Sequence, residues 1–242
     1  MMSFVQMNKS EIVKKQYLYK LKAFKGSYSS LIVIQIAGLL FSIFALNGSG
    51  GSGSNFSFDF IVYSADIVVV FTLFWSFITG VTIASKNNRN DDFTFVTNRQ
   101  TSNLSNALFL LTISIIGGTT AILMGVAHRV LVPLFATTEI MAGPYTFSEL
   151  AIGIAAAVLY CVFLSISGYL IGTIVQYNKA FKYIVPLVLI GLMIGFPDIL
   201  GDIFRFYYLE ASFLFFLLKA IATAGVCFIL AVSISSRMEV RK

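Results

Sequence analysis

Leu150 to Val175 reads LAIGIAAAVLYCVFLSISGYLIGTIV, with no acid and no base. A helix needs about 20 apolar residues to cross the hydrocarbon core of a bilayer, and this run is longer than that. It is apolar around its whole circumference, so as a helix it offers water no face. A barrel strand would instead read as an alternating segment of about 10 residues. Lipid offers no partner to a free N–H or C=O, so the run is expected to be a continuous helix immersed in a membrane.

Working outward, five further runs have the same character: Ser30 to Leu46, Phe60 to Ala84, Leu104 to Ala127, Tyr183 to Phe196 (extendable to Leu200) and Phe213 to Ile234. The run from Tyr183 is the shortest and contains Pro186, which predicts a kinked or shallow span. The whole chain agrees. It is 57% hydrophobic and only 12% charged, where a soluble domain carries about 25% charge. The fold class expected is all-α: a polytopic membrane protein with six transmembrane helices.

The net charge of +6 matters less than its placement. The segment before the first span holds Lys9, Lys14, Lys15, Lys20, Lys22 and Lys25. Lys86, Arg89 and Arg99 follow the second span, Lys179 and Lys182 the fourth, and Arg237, Arg241 and Lys242 the last. Fourteen of the 17 basic residues thus fall on one side. Arg205 lies on the other, Arg129 near that boundary, and Lys219 within a span. The positive-inside rule makes the rich side cytoplasmic, with both termini there. The setting expected is a cell membrane, bacterial in character. Basic residues that flank apolar runs, with no interleaved aromatic stripe, argue against nucleic acid as a partner. Cys161 and Cys227 sit inside apolar runs with one histidine in the chain, a pattern of small hydrophobes and not of metal ligands.

The first 29 residues are too polar for a cleavable signal peptide. Val13, Tyr17, Leu21 and Phe24 recur at helical spacing with lysines between them, and Asn8 and Glu11 resemble a capping pair. This predicts an interfacial amphipathic helix with its lysines toward anionic headgroups. The division expected is 1–29 for that helix, 30–236 for the transmembrane domain and 237–242 for a cytoplasmic tail. Asn47 to Phe58, NGSGGSGSNFSF, is expected to be a flexible loop, natural or inserted.

The long inner loop, residues 85–103, carries Phe93 and Phe95 in a polar stretch. Exposed aromatics there suit a short helix docked on a cytoplasmic partner, or rings dipping into headgroups. Asp91 and Asp92 are placed to cap such a helix. The basic leader, the six spans and the stretch Phe93-Thr-Phe-Val-Thr-Asn-Arg99 followed by Leu104-Ser-Asn106 resemble the permease subunit of an ABC-2 type ABC transporter. That family has an aromatic-x-x-Pro-x-x-Arg loop; Val96 stands here where its proline does. The resemblance implies a coupling helix built from Asp91, Asp92, Phe93, Phe95, Thr97 and Arg99. It also implies an elbow helix at the N-terminus and a homodimer or a heterodimer with a sister permease. ATP and Mg would be bound by a separate cytoplasmic ABC ATPase, with no cofactor on this chain. The segment Pro197 to Ser212, rich in charges and aromatics, is similar to the family's short outer-leaflet re-entrant helices; a plain outer loop is the other reading.

Within or near the spans, Asp66, Lys219 and Arg129 are the ionisable candidates. Asp66 and Lys219 lie at matching depth, which permits an ion pair; snorkelling and local hydrogen bonds are the alternative. His128 and Arg129 read as interfacial anchors, and Glu149 as the start of a helix. Gly168-x-x-x-Gly172 and Gly191-x-x-x-Gly195 allow close backbone approach within the chain or across a dimer.

No Walker A pattern, H-E-x-x-H motif or nucleophile elbow occurs, so the chain is not expected to be an enzyme. The function implied is export of a hydrophobic or amphipathic substrate such as an antimicrobial peptide, antibiotic or lipid. A non-transporting immunity or sensory protein that binds a peptide is the competing reading, and an intramembrane enzyme a third.

Overall fold

The computed structural model describes residues 8–44, 47–52, 57–62, 66–85, 88, 98–135, 146–178, 180–195, 197–208 and 212–237. In chain order these form α1 (Lys9–Ala23), α2 (Lys25–Phe44), β1 (Asn47–Ser52), β2 (Ser57–Val62), α3 (Asp66–Ile83), α4 (Arg99–Phe135), α5 (Phe147–Tyr177), α6 (Phe181–Gly195), α7 (Pro197–Tyr208) and α8 (Phe213–Arg237). Among the described residues five helices, α2, α3, α4, α5 and α8, are long and apolar enough to cross a membrane. The fold is that of a helical membrane protein.

Two expectations change here. The run from Tyr183 forms α6, whose 15 residues rise about 22 Å at 1.5 Å per residue. That is short of a hydrocarbon core of about 30 Å, so five helices meet the length criterion where six were expected. The second span begins at Asp66 and not at Phe60, because Ser57 to Val62 pairs antiparallel with Asn47 to Ser52, Asn47 opposite Val62 and Ser52 opposite Ser57. The alternation Ser57-Phe58-Asp59-Phe60 is a strand period that the hydropathy of the run concealed. The glycine-rich stretch is therefore half of a hairpin, not a structureless loop.

The contacts give every long helix a direction. Trp75 Nε1 donates to Ser30 Oγ (2.9 Å) and a Cβ on Gly38 would lie 3.0 Å from Val68 Cα, so α2 and α3 are antiparallel. Gln35 meets Thr120 and Ser42 meets His128, so α2 and α4 are parallel. Tyr160 packs on Phe216 and Tyr169 on Phe228, so α5 and α8 are parallel, while Asn103 of α4 meets Ser235 at the end of α8. Thus α2 and α4 run one way and α3, α5 and α8 the other. Lys25, Arg99 and Arg237 consequently gather at one end of the bundle, where α1 also lies.

Small residues make this packing possible. A Cβ on Gly80 would fall on the Ser165 carbonyl oxygen, and one on Gly168 on the Phe77 carbonyl oxygen, which fixes the crossing of α3 and α5. On Gly118 it would stand 2.6 Å from Val158 N, which fixes α4 against α5. Gly168-x-x-x-Gly172 therefore serves packing within the chain. Among the described residues, a Cβ added at Gly191 or Gly195 would meet nothing within 4 Å.

The middle of the bundle is also stitched by polar groups. The buried Gln35 amide donates to Thr120 Oγ1 (2.9 Å), Thr72 Oγ1 (3.3 Å) and Gly117 O (3.3 Å). Each threonine hydroxyl retains a donor bond to its own helix, Thr72 to Val68 O and Thr120 to Ile116 O. Replacing Gln35 by Leu therefore strands no donor. Interhelical hydrogen bonds in membranes average about 0.6 kcal/mol, and Gln35→Leu is expected to cost no more than about 1 kcal/mol in an SDS-unfolding titration followed by circular dichroism. A loss several times larger would show that the amide is a keystone of the bundle.

Candidate functional site

The lysine-rich end is where the polar side chains converge. It begins with α1, which packs along α4. Of the four residues of the predicted stripe, Val13 is buried, and Tyr17, Leu21 and Phe24 pack against the core. Phe24 stacks at a tilt on Phe109 (5.1 Å between centroids). Thr112 Oγ1 donates to Leu108 O (2.9 Å), so the Tyr17 hydroxyl, 2.9 Å away, donates to Thr112. Two expectations for α1 are corrected. No side-chain bond from Asn8 caps the helix; the Glu11 N–H donates to the Asn8 backbone carbonyl instead (2.9 Å). Nor do all the lysines face outward. Helical spacing puts Lys20 on the same stripe as Val13, Gln16 and Phe24, and Lys20 is 2% exposed.

Lys20 Nζ donates to Ser105 Oγ (2.8 Å) and to Asn106 Oδ1, both in the second turn of α4. The network runs on from there. Asn106 Nδ2 donates to the Tyr169 hydroxyl of α5 (3.2 Å), which donates in turn to Asn103 Oδ1 (2.9 Å). Ser235 of α8 reaches the same oxygen at 3.4 Å. One turn earlier, Arg99 Nη1 donates to the Ser236 (2.7 Å) and Ser235 (3.2 Å) carbonyls. Those belong to the last turn of α8, whose carbonyls have no partner within the helix and whose dipole end attracts a cation. Two turns of α4 thus bind α1, α5 and α8. Of the predicted coupling residues, Arg99 is placed here; Asp91, Asp92, Phe93, Phe95 and Thr97 lie outside the described residues.

Asn103 and Tyr169 escaped the sequence reading, which took Lys20 only as one of the leader lysines and Ser105 and Asn106 only as part of the ABC-2-like stretch. The available signal was Thr101-Ser-Asn-Leu-Ser-Asn106, a run of small polar residues at the mouth of an apolar span. All but Leu104 are buried.

The opposite end holds the other candidates. Asp66 is not deep in a span: it is an exposed residue in the first turn of α3, where the helix dipole favours a carboxylate. Lys219 reaches α7 instead. Its Nζ donates to Phe206 O (3.3 Å) and sits 3.9 Å from the centre of the Phe206 ring, a cation–π geometry. Tyr207 stacks on Phe163 (5.4 Å), and Tyr160 donates to the Tyr207 carbonyl (3.3 Å). The segment from Pro197 is therefore a helix fastened to α5 and α8, not a plain loop. His128, expected at the interface, is fully buried and meets Ser42 Oγ at 3.1 Å. Arg129 is partly exposed and near enough for its charge to act on Glu149. Glu149 does start its helix: it forms a reciprocal capping box with Thr146. Cys161 is buried and Cys227 half-buried; both are free.

Compared with protein-family models, with curated proteins and with solved structures, the chain matches none. Its function is therefore argued from these residues.

Proposed function

We propose that the chain is the membrane permease subunit of an ATP-driven exporter of a hydrophobic or amphipathic substrate, powered by a separate cytoplasmic ATPase that docks on the 85–103 loop. The observation that carries this reading is the junction around Arg99. The loop resembling a coupling helix ends at Arg99, and Arg99 grips the end of α8. The next turn holds Lys20 of α1 and Tyr169 of α5. A push on the loop would move four helices as one body, which is what a mechanical coupling needs.

The orientation is part of the same reading. Lys25, Arg99 and Arg237 share one end with α1, and the positive-inside rule makes it cytoplasmic. Because α5 and α8 are parallel, the chain between them has to return across the bundle, and α6 with α7 supplies that return. A locally thinned bilayer accommodates α6, which gives six traverses with both termini inside. Two copies, or one with a sister subunit, would enclose the pathway.

The test is retention of vanadate-sensitive ATPase activity through purification from the native membrane. Phe93→Ala is expected to reduce the retained activity about tenfold with the melting temperature unchanged. Arg99→Ala is expected to reduce it as much but also to lower the melting temperature, with a stability loss of about 1.5–3 kcal/mol, the worth of a hydrogen bond to a charged group. Wild-type retention by the double variant would refute the docking. A chain that binds peptide yet never retains an ATPase would favour an immunity role.

A further inference from the structure

We propose that the groove between α1 and the start of α4 binds one anionic glycerophospholipid, held by its headgroup. The proposal rests on the membrane-embedded reading of the apolar helices and not on the transport reading. The groove encloses about 540 Å³ and is two-natured. Lys9 and Lys14, both exposed, stand on its α1 side. Asn98 and Thr101 stand at the N-terminal end of α4, where the positive helix dipole favours an anion; the Thr101 N–H and hydroxyl both donate to Asn98 O. Among the described residues neither lysine is bonded to an acid, and the one acid of α1, Glu11, does not line the groove. Ser10 and Gln100 complete the polar end, and the remaining wall is Val13, Tyr17, Leu104 and Leu108.

The apolar wall does not stop at the groove. Leu104, Leu108, Leu111 and Ile115 fall on one face of α4, and all four are between 41% and 50% exposed. They form a track from the lysines into the hydrocarbon length of the span. A soluble phosphate would use the cationic end and leave the track bare. A neutral lipid would use the track and leave the lysines without a counter-charge. A phosphodiester carrying acyl chains matches both ends at once, its charge met by the lysines.

The experiment uses the full chain, delipidated in detergent, with bound molecules counted by native mass spectrometry. The probes are dioctanoyl phosphatidylglycerol, dioctanoyl phosphatidylcholine and glycerol 3-phosphate. One phosphatidylglycerol is expected to bind at least about tenfold more tightly than phosphatidylcholine, and glycerol 3-phosphate not to compete. Lys9→Gln with Lys14→Gln is expected to abolish the preference with the melting temperature unchanged. Lys15→Gln with Lys22→Gln removes the same charge from exposed positions outside the groove and is expected to preserve it. Equal binding of the two lipids would overturn the proposal. So would competition by glycerol 3-phosphate, or equal loss in both double variants, which would signify a diffuse basic surface.

Discussion

Gly80→Ala is expected to cost about 3 kcal/mol or more, at the upper end of overpacking effects, against a total stability of about 5–15 kcal/mol. The added methyl would meet the Ser165 carbonyl oxygen, with Ser165 C and Tyr169 N each 2.9 Å away. These are backbone atoms, so no rotamer change relieves the clash, and α3 and α5 have to separate. Gly168→Ala acts on the same crossing from the other side, where Phe77 C would be 3.0 Å and Val81 N 3.2 Å away. Helices already forced apart by one methyl accommodate the second more cheaply, so the two losses should add to less than their sum. Gly191→Ala is the control. Among the described residues nothing lies within 4 Å of the added Cβ, and alanine favours a helix over glycine by up to about 1 kcal/mol. SDS unfolding or thermal melting in detergent checks all three, and wild-type melting of Gly80→Ala would refute the close crossing.

Lys20→Met should be nearly as damaging. Methionine replaces the stem of the lysine but not its donors, and a hydrogen bond to a charged group is worth about 1.5–3 kcal/mol. Here Ser105 Oγ and the Asn106 carbonyl oxygen lose a buried cationic donor together. The expected loss is about 3 kcal/mol, and a smaller one, about 1 kcal/mol, for Tyr169→Phe, which removes a neutral hydroxyl from the same network. Lys20→Arg is not expected to restore stability, because a planar guanidinium does not fit the space of a compact ammonium. Melting temperatures give the stability; retained ATPase activity shows whether the junction also couples. A Lys20→Met chain as stable as the wild type would show that the ammonium is solvated, and α1 would then be a loosely attached leader.

These two contacts divide the labour of the fold. Backbone proximity at Gly80, Gly118 and Gly168 sets the geometry of α3, α4 and α5 inside the bilayer. At the polar end, the Lys20 and Arg99 bonds lock α1 and α8 to α4. A junction of this kind changes position as a unit, which is the property the proposed coupling requires.

What Leu150 to Val175 and its companions determined unaided was the solvent. A run without charge and without a polar face has one stable home, and the burden of satisfying its own backbone makes it a helix. The grouping of lysines and arginines was equally legible, because charge repels hydrocarbon whatever the helices do among themselves. The position of Lys20 was not. Its burial depends on which stripe of α1 meets α4, and the acceptors lie 85 and 86 residues along the chain. For the same reason the two glycine pairs, identical as patterns, have different fates: Gly168 and Gly172 meet α3, while Gly191 and Gly195 meet nothing among the described residues. Asp66 moved from span to helix start because cross-strand pairing claimed Ser57 to Val62 ahead of the helix. Hydropathy reports what each segment does with water; which segments touch is settled by shape and by distant partners, and those exist only once the chain has folded.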